Sequence, residues 1–277
     1  MTETRPSTII RRAGPVSVLL TAAGIVVSSA TLVGFLGRFS WFLDLFSHFR
    51  VQYTLGLCIL GLLLFLGRRR RTATTFLAFS CINLFLVLPL YFGTGNPVPE
   101  CAQTFRAMLL NVNTHRGDPH QVEGAILEID PDILVLEEIS ARWVRDLAWI
   151  TNSLPYSCIE PREDNFGIGL FSRFPLAESE VVYVGEAGVP SIMATIEAGI
   201  DKIGVVATHP LPPGGASYSR RRNSQLEALP DYVCSTQPLI LLGDLNVTPW
   251  NYQFRRLLRR TGLIDSSKGF GFQPTWP

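Results

Sequence analysis

Charge is what this chain has least of. Only 17% of its 277 residues are Asp, Glu, Lys or Arg, against roughly 25% in an ordinary soluble protein. Lysine is confined to Lys202 and Lys268, and there are 4 histidines and 3 methionines. The 5 cysteines have no metal-binding spacing, so neither a structural zinc site nor a disulfide framework can be read from them. No repeat or low-complexity tract is visible, and 47% hydrophobic with 10% aromatic content excludes a disordered or collagen-like chain. The charge deficit is uneven. Residues 1–99 carry a net +7, from nine arginines and two acids, whereas residues 100–277 carry −6. A single uniform soluble domain does not divide its charge in this way.

Three uncharged runs fill the first third: Ala13–Gly37, Val51–Gly67 and Thr72 to about Gly93. Crossing the hydrocarbon core takes about 20 apolar residues in a helix, which the first and third supply. The second is short, and Arg50 and Arg68 at its ends can extend their stems to the headgroups. A removable signal peptide competes for the first run, but its apolar stretch exceeds the usual 7–15 residues. Arg5, Arg11 and Arg12 precede the first span, and Arg68 to Arg71 separate the second from the third. The positive-inside rule then places the N-terminus and the Arg68–Arg71 loop in the cytoplasm and everything after Tyr91 outside it. The expectation is a multi-pass plasma (inner) membrane protein. Its anchor is residues 1–99, with transmembrane helices at about 14–37, 50–67 and 72–92. Residues 100–277 form a periplasmic or extracellular domain. The aromatic stretch Trp41–Phe49 suits the outer interface, with His48 an interfacial polar residue. The spans contain no Asp, Glu, Lys or Arg, which disfavours a transport pathway.

Gly93 to Glu100 has the Gly/Pro punctuation of a linker. Beyond it, strand-like runs (Phe105–Val112, Ile133–Leu136, Ile168–Phe171, Val181–Val184, Ile192–Ile196, Ile203–Ala207, Leu239–Leu242) alternate with helical stretches at about 118–129, 140–152, 219–234 and 250–260. The pattern leaves open two β layers with helices outside or a doubly wound sheet. Cys58 and Cys81 fall within spans as small fillers, and Cys101, Cys158 and Cys234 are too few and too irregular to pair by inspection.

Four of these strands end in residues that are costly to bury without a purpose. Asn111 closes the first, Glu137-Glu138 the second, Thr208-His209 the sixth, and Gly243-Asp244-Leu245-Asn246 the seventh. Each alone has an ordinary explanation. Asn or Asp after a strand is usually a turn residue, paired glutamates are usually solvated, and a His before Pro is usually structural. Four strands delivering oxygens or an imidazole at one end describe a site at a sheet rim, with donors suited to a hard ion such as Mg²⁺.

The ordered set Asn111, Pro131-Asp-Ile-Leu-Val-Leu-Glu-Glu138, Gly167-Ile-Gly-Leu-Phe-Ser-Arg-Phe-Pro-Leu176, Thr208-His209 and Gly243-Asp-Leu-Asn246 resembles the endonuclease/exonuclease/phosphatase superfamily. It spans about residues 104–276. The resemblance implies an α/β (α+β) fold: a four-layer αββα sandwich, here preceded by an all-α transmembrane region of three helices. It further implies Glu138 as the main metal ligand with Asn111 assisting, and Mg²⁺, or alternatively Mn²⁺, as cofactor. Glu137 stands where the family commonly has Gln and would support the site from behind. Asp244 would orient or deprotonate the attacking water, Asn246 would steady phosphoryl oxygens, and His209 would contact the scissile phosphate. Arg222 and Asn223, in a helix opening with Arg220 and Arg221, are candidates for contacting an anionic substrate. The family's closing Asp-His strand has no counterpart before Pro277, and His115 and His120 come too early to replace it. The expectation is either a truncated catalytic domain or a degenerate family member, with an unpaired sheet edge and strongly reduced catalysis.

The resulting functional expectation is a membrane-anchored, metal-dependent phosphoesterase acting by metal-activated water attack on phosphodiesters or phosphomonoesters. The alternative is a catalytically impaired module that binds a phosphorylated or lipid ligand. Expected partners are the lipid bilayer and a phosphate ester (nucleic acid, phospholipid headgroup or small phosphoester), with no obligate protein partner. The −6 charge of the outer domain does not advertise a nucleic-acid surface.

Overall fold

The computed structural model describes residues 14–93, 104–199, 201–233 and 238–274. Arg5, Arg11, Arg12, Cys101, Cys234 and the Gly/Pro linker after Gly93 lie outside the described residues. The chain separates into two compact units, Met1–Thr94 with Ser266–Pro277, and Gly95–Asp265.

The first unit is helical: α1 (Pro15–Val33), extended by a 3-10 turn over Gly34–Leu36, then α2 (Trp41–Leu45), α3 (Arg50–Leu66) and α4 (Arg70–Val87) with a 3-10 turn over Leu88–Tyr91. Pro15 starts α1, where its missing N–H costs nothing. The side chain of Ser40 caps α2 by accepting from the amide of Phe42. Two helical stretches, Pro15–Leu36 and Arg70–Tyr91, are long and apolar enough to cross a membrane, each of 22 residues with mean hydropathy 2.1 and 1.9. With 17 residues, α3 is shorter than the expected span. The unit has a small interior of Leu57, Leu64, Ala73 and Phe76, and Gly24 admits the Phe76 ring, which a Cβ there would meet at 2.0 Å.

Arg50 departs from the sequence expectation. It does not reach outward from the start of α3 but is buried, 2% exposed. Its Nη1 donates to the Thr31 carbonyl (2.9 Å) and to Asn83 Oδ1 (3.1 Å), while its guanidinium lies 4.5 Å from the centre of the Phe35 ring. Asn83 Nδ2 in turn donates to Thr31 Oγ1 at 2.9 Å. An apolar setting offers the five guanidinium donors no water, so partners on α1 and α4 draw the side chain inward.

The second unit is a sandwich. Strands β1 (Ala107–Asn111), β2 (Ile133–Glu137), β3 (Tyr156–Glu160) and β4 (Ile168–Ser172) form one sheet in the order β1-β2-β4-β3. Strands β5 (Leu176–Val182), β6 (Ser191–Ala198), β7 (Asp201–Thr208) and β8 (Leu239–Leu242) form the other, in sequence order. Side-chain alternation builds the layers. Ile133 and Val135 of β2 join Ile192, Ile196, Val205 and Ala207 in the core between the sheets. Leu134 and Leu136 face the other way, toward Ile126 of α5 (Pro119–Ile129), Trp143 of α6 (Ala141–Asp146) and Ile150. In the second sheet Met193, Val206 and Leu241 face outward onto Leu226, Leu229 and Val233 of α7 (Ala216–Val233) and Leu257 of α8 (Tyr252–Thr261). Four αββα layers result. The sequence pattern did not mark β3, whose Tyr-Ser-Cys-Ile-Glu lacks apolar alternation and lies at a sheet edge. The single helix expected over 140–152 is instead α6 and a separate 3-10 turn, Ala148–Asn152.

Candidate active site

Parallel pairing brings strand C-termini together. β1 runs parallel to β2 with Asn111 opposite Glu137, and β7 runs parallel to β8 with Ala207 opposite Leu242. The residues that follow are tied to one another directly. Asn111 Nδ2 donates to Glu138 Oε1 at 2.8 Å. The Asp244 amide donates to Glu137 Oε1 at 2.9 Å, linking the ends of the two sheets. Asn246 Nδ2 donates to the Pro210 carbonyl (2.8 Å) and the Asn246 amide to Asp244 Oδ1 (2.9 Å). Asn111 at the end of β1, and Glu138, His209, Asp244 and Asn246 in the loops after β2, β7 and β8, thus lie on segments joined by side-chain hydrogen bonds.

The backbone supports this arrangement under strain. Six non-glycine residues have positive φ among those described, and three of them, Asn113 (53°), Glu138 (61°) and Asn246 (52°), lie in these loops. Such conformations cost of order 1–3 kcal/mol each and gather at functional sites. For Asn the side chain softens the cost, but Glu138 has no such excuse and is held by its surroundings. The hydroxyl of Thr114 donates to the Glu138 carbonyl (2.8 Å), and the Thr114 amide approaches Glu138 Oε2 (3.4 Å). Gly243 lets β8 pass the end of β7, because a Cβ there would meet the Thr208 carbonyl oxygen at 1.8 Å.

Two ionisable groups of this strand-end cluster are perturbed. Glu137 is fully buried (0% exposed), and its Oε2 has no hydrogen-bond partner among the described residues. Burial raises its pKa well above the ordinary carboxylate value; the Asp244 N–H opposes this, and the charges of Asp244 and Glu138 add to it. His209 is 4% exposed and packs on Phe166, with ring centroids 5.6 Å apart. Burial lowers its pKa, against the opposing pull of Asp244 and Glu138, so its neutral imidazole is favoured.

Arg222, expected at a substrate surface, is 1% exposed. It points into the protein, with Nη1 on the Asn246 carbonyl (3.1 Å) and Nε and Nη2 on Asn223 Oδ1 (3.2 and 3.0 Å). Arg220 and Arg221 are exposed. Sequence reasoning missed Thr114 and Gln225. Gln225 Nε2 donates to Thr208 Oγ1 (2.9 Å) and Ser191 Oγ (3.3 Å) beneath His209. The available signal was helical spacing: Ser219, Arg222, Gln225, Leu229 and Val233 form one buried stripe of α7.

The described residues include no group of three or more His, Cys, Asp or Glu placed to hold a metal, which excludes a closed His/Cys-type centre among them. The donors present are the partly exposed carboxylate of Glu138 and the exposed carboxamide of Asn111. This set fits a hard ion that keeps most of its waters and takes one or two carboxylates.

Two helix-flanked sheets with carboxylates and carboxamides converging at their strand ends define a class of α/β sandwich whose site lies at the rim. Within that class the chain belongs to the Endonuclease/Exonuclease/phosphatase family, which its residues 108–277 match. Among solved structures it is similar to an endonuclease/exonuclease/phosphatase from Beutenbergia cavernae (21% identity, TM-score 0.47, 56% of this chain and 53% of that one). It is also similar to sphingomyelinase C from Streptomyces griseocarneus (16%, TM-score 0.49, 60% and 72%). A third likeness is to a double mutant of beta toxin from Staphylococcus aureus with bound magnesium ions (16%, TM-score 0.48, 59% and 72%). The chain thus spans about half the length of the Beutenbergia protein. No curated protein matches it.

Proposed function

We propose that the chain is a membrane-anchored, divalent-metal-dependent phosphoesterase whose sandwich domain faces away from the cytoplasm. The observation that carries this reading is the cross-tied set of strand ends, in which Glu138, Asn111, Asp244, Asn246 and His209 share one rim. Glu138 and Asn111 would hold Mg²⁺, or Mn²⁺ in its place, which when bound supplies positive charge against the phosphoryl oxygens. Asp244, with Oδ1 fixed by the Asn246 N–H, would orient a water and accept its proton as the water oxygen bonds to phosphorus. The ester P–O bond breaks in the same displacement, and the departing oxygen takes a proton from solvent. The Asn246 carboxamide has two N–H donors; one is given to Pro210, and the other is left for a phosphoryl oxygen. His209, favoured neutral by burial, would act as a hydrogen-bonding group and not as a fixed charge.

The anchor reading rests on the two long apolar helices, with α3 as a shorter third crossing whose Arg50 turns inward to the Thr31 carbonyl and Asn83 Oδ1. The outer surface of this unit supports it: Leu19, Leu66 and Phe85 are 70%, 78% and 75% exposed, which water would disfavour and lipid would not. Tethering favours a phospholipid headgroup by proximity, and the acidic outer domain weighs against nucleic acid.

The test is hydrolysis of bis(p-nitrophenyl) phosphate by the full chain in nanodiscs, with Mg²⁺ or with EDTA. Turnover is expected only with the metal, and Asp244→Ala and Glu138→Ala should each lower it by about 10³-fold. Full activity in both variants would sink the reading. A second reading, a binding module without turnover, is favoured by the hydrogen bonds already made to Glu138 from Asn111 and Thr114. Mg²⁺-dependent binding of a phosphorylated ligand with no hydrolysis would establish it.

A further inference from the structure

Arg222 combines full burial, a permanent charge and a place on a helix whose other buried side chains are mostly apolar or uncharged. A buried guanidinium is costly and is kept only where its donors are used. Here they are used on the loop after β8 and on the neighbouring Asn223 of α7. Nη1 holds the Asn246 carbonyl, and Asn223 Oδ1 takes Nε and Nη2, which fixes the plane of the guanidinium. The peptide so held belongs to a residue at φ 52°, a conformation that relaxes unless restrained. Its own N–H sets the Asp244 carboxylate through Oδ1, and its side chain reaches the carbonyl of Pro210, next to His209. One helical turn further on, Gln225 holds Thr208, the other neighbour of His209, although its Oε1 is buried with no hydrogen-bond partner among the described residues. A leucine would fill that volume without leaving an unsatisfied oxygen.

We propose that Arg222 is a positioning residue: acting through the Asn246 peptide, it sets the aim of the Asp244 carboxylate, with Gln225 fixing the adjoining Thr208–His209 end. The polar turn of α7 is a shelf that holds two site loops at a set spacing. This proposal rests on the phosphoesterase reading for its kinetic consequence and on geometry alone for its structural one.

The experiment compares full-length wild type, Arg222→Met, Arg222→Lys and Asn223→Ala in nanodiscs by two readouts. The first is bis(p-nitrophenyl) phosphate hydrolysis with Mg²⁺, separated into kcat and KM. The second is amide hydrogen exchange over residues 243–248, compared with β6 and β7. For Arg222→Met we expect kcat to fall about 100-fold, the usual cost of a misplaced catalytic group, with KM within about threefold of wild type. Exchange should accelerate over 243–248 alone. Arg222→Lys should recover part of both effects. Asn223→Ala leaves the buried charge in place, and should show the same signature more weakly even if Arg222→Met does not fold. A rise in KM with kcat unchanged would overturn the proposal and return Arg222 to substrate contact. Faster exchange throughout the sandwich, or no change in either readout, would also overturn it. If wild type shows no turnover, the phosphoesterase reading fails by itself, and the exchange pattern still decides the positioning role.

Discussion

The two units contain two buried arginines in nearly the same chemical setting and put them to different uses. Arg50 and Arg222 are 2% and 1% exposed, and each divides its donors between a main-chain carbonyl and an Asn side-chain oxygen. Arg50 draws its partners from distant helices, Thr31 on α1 and Asn83 on α4. Arg222 takes one partner from its immediate neighbour, Asn223, and the other from a single loop. The first arrangement ties α3 to α1 and α4 at once, so its loss is felt as stability. The second restrains a loop whose element is already packed by Leu226, Leu229 and Val233, so its loss is felt as geometry at Asp244. The same residue type is a clamp in one unit and an aiming device in the other.

Breaking the clamp should give the larger stability effect. Arg50→Met leaves Asn83 Oδ1 and the Thr31 carbonyl without their charged donor, and hydrogen bonds to charged groups contribute about 1.5–3 kcal/mol each. The full chain in detergent should unfold at clearly lower temperature, with kcat per folded molecule unchanged. A drop in kcat without a drop in thermal stability would erase the contrast with Arg222.

A second test sharpens the comparison on the site side, using Glu137, whose folded pKa is raised. A raised carboxyl pKa means that the native state binds the extra proton. The contribution to stability is therefore full below the ordinary value and is lost as pH rises through the folded value. Glu137→Gln keeps an acceptor for the Asp244 N–H and cannot ionise. In EDTA the variant should gain on wild type as pH increases above the ordinary glutamate range, measured by urea unfolding at pH 4, 6 and 8. Parallel stabilities across that range would show that burial of Glu137 carries no such linkage.

The smallest expected change is Asn83→Leu. It removes one acceptor of Arg50 and the donor to Thr31 Oγ1 while leaving the Thr31 carbonyl to hold the guanidinium. A loss of about 2 kcal/mol is expected, toward the lower end for a hydrogen bond to a charged group. A loss as large as that of Arg50→Met would mean that Asn83, not Arg50, organises the cluster.

The strands were legible as short apolar runs, but their pattern left a sandwich and a doubly wound sheet open, and the family resemblance chose between them. Ile133-Leu134-Val135-Leu136 is apolar throughout because each of its faces meets a core of its own. The candidate site residues drew notice in the sequence because Asn111 ends a strand and Glu138, His209, Asp244 and Asn246 come just after one, where a polar residue is conspicuous. β3 escaped because an edge strand with little burial needs no apolar alternation. The directions of Arg50 and Arg222 escaped for a related reason. Sequence shows a charge beside an apolar run, and whether that charge turns outward or inward depends on acceptors that tertiary folding brings in, Thr31 and Asn83 for one, Asn246 for the other.

Gly243 bears on how such a site can vary. Its Cα passes the Thr208 carbonyl so closely that any side chain would begin 1.8 Å from that oxygen and 3.3 Å from Glu137 Oε1. The spacing between the ends of β7 and β8 is therefore set by backbone against backbone, and no substitution at this codon can tune it by degrees. Under random mutagenesis position 243 should be nearly intolerant. Variants with altered substrate preference should arise instead in less tightly packed connecting segments, as at the exposed Glu163–Asn165.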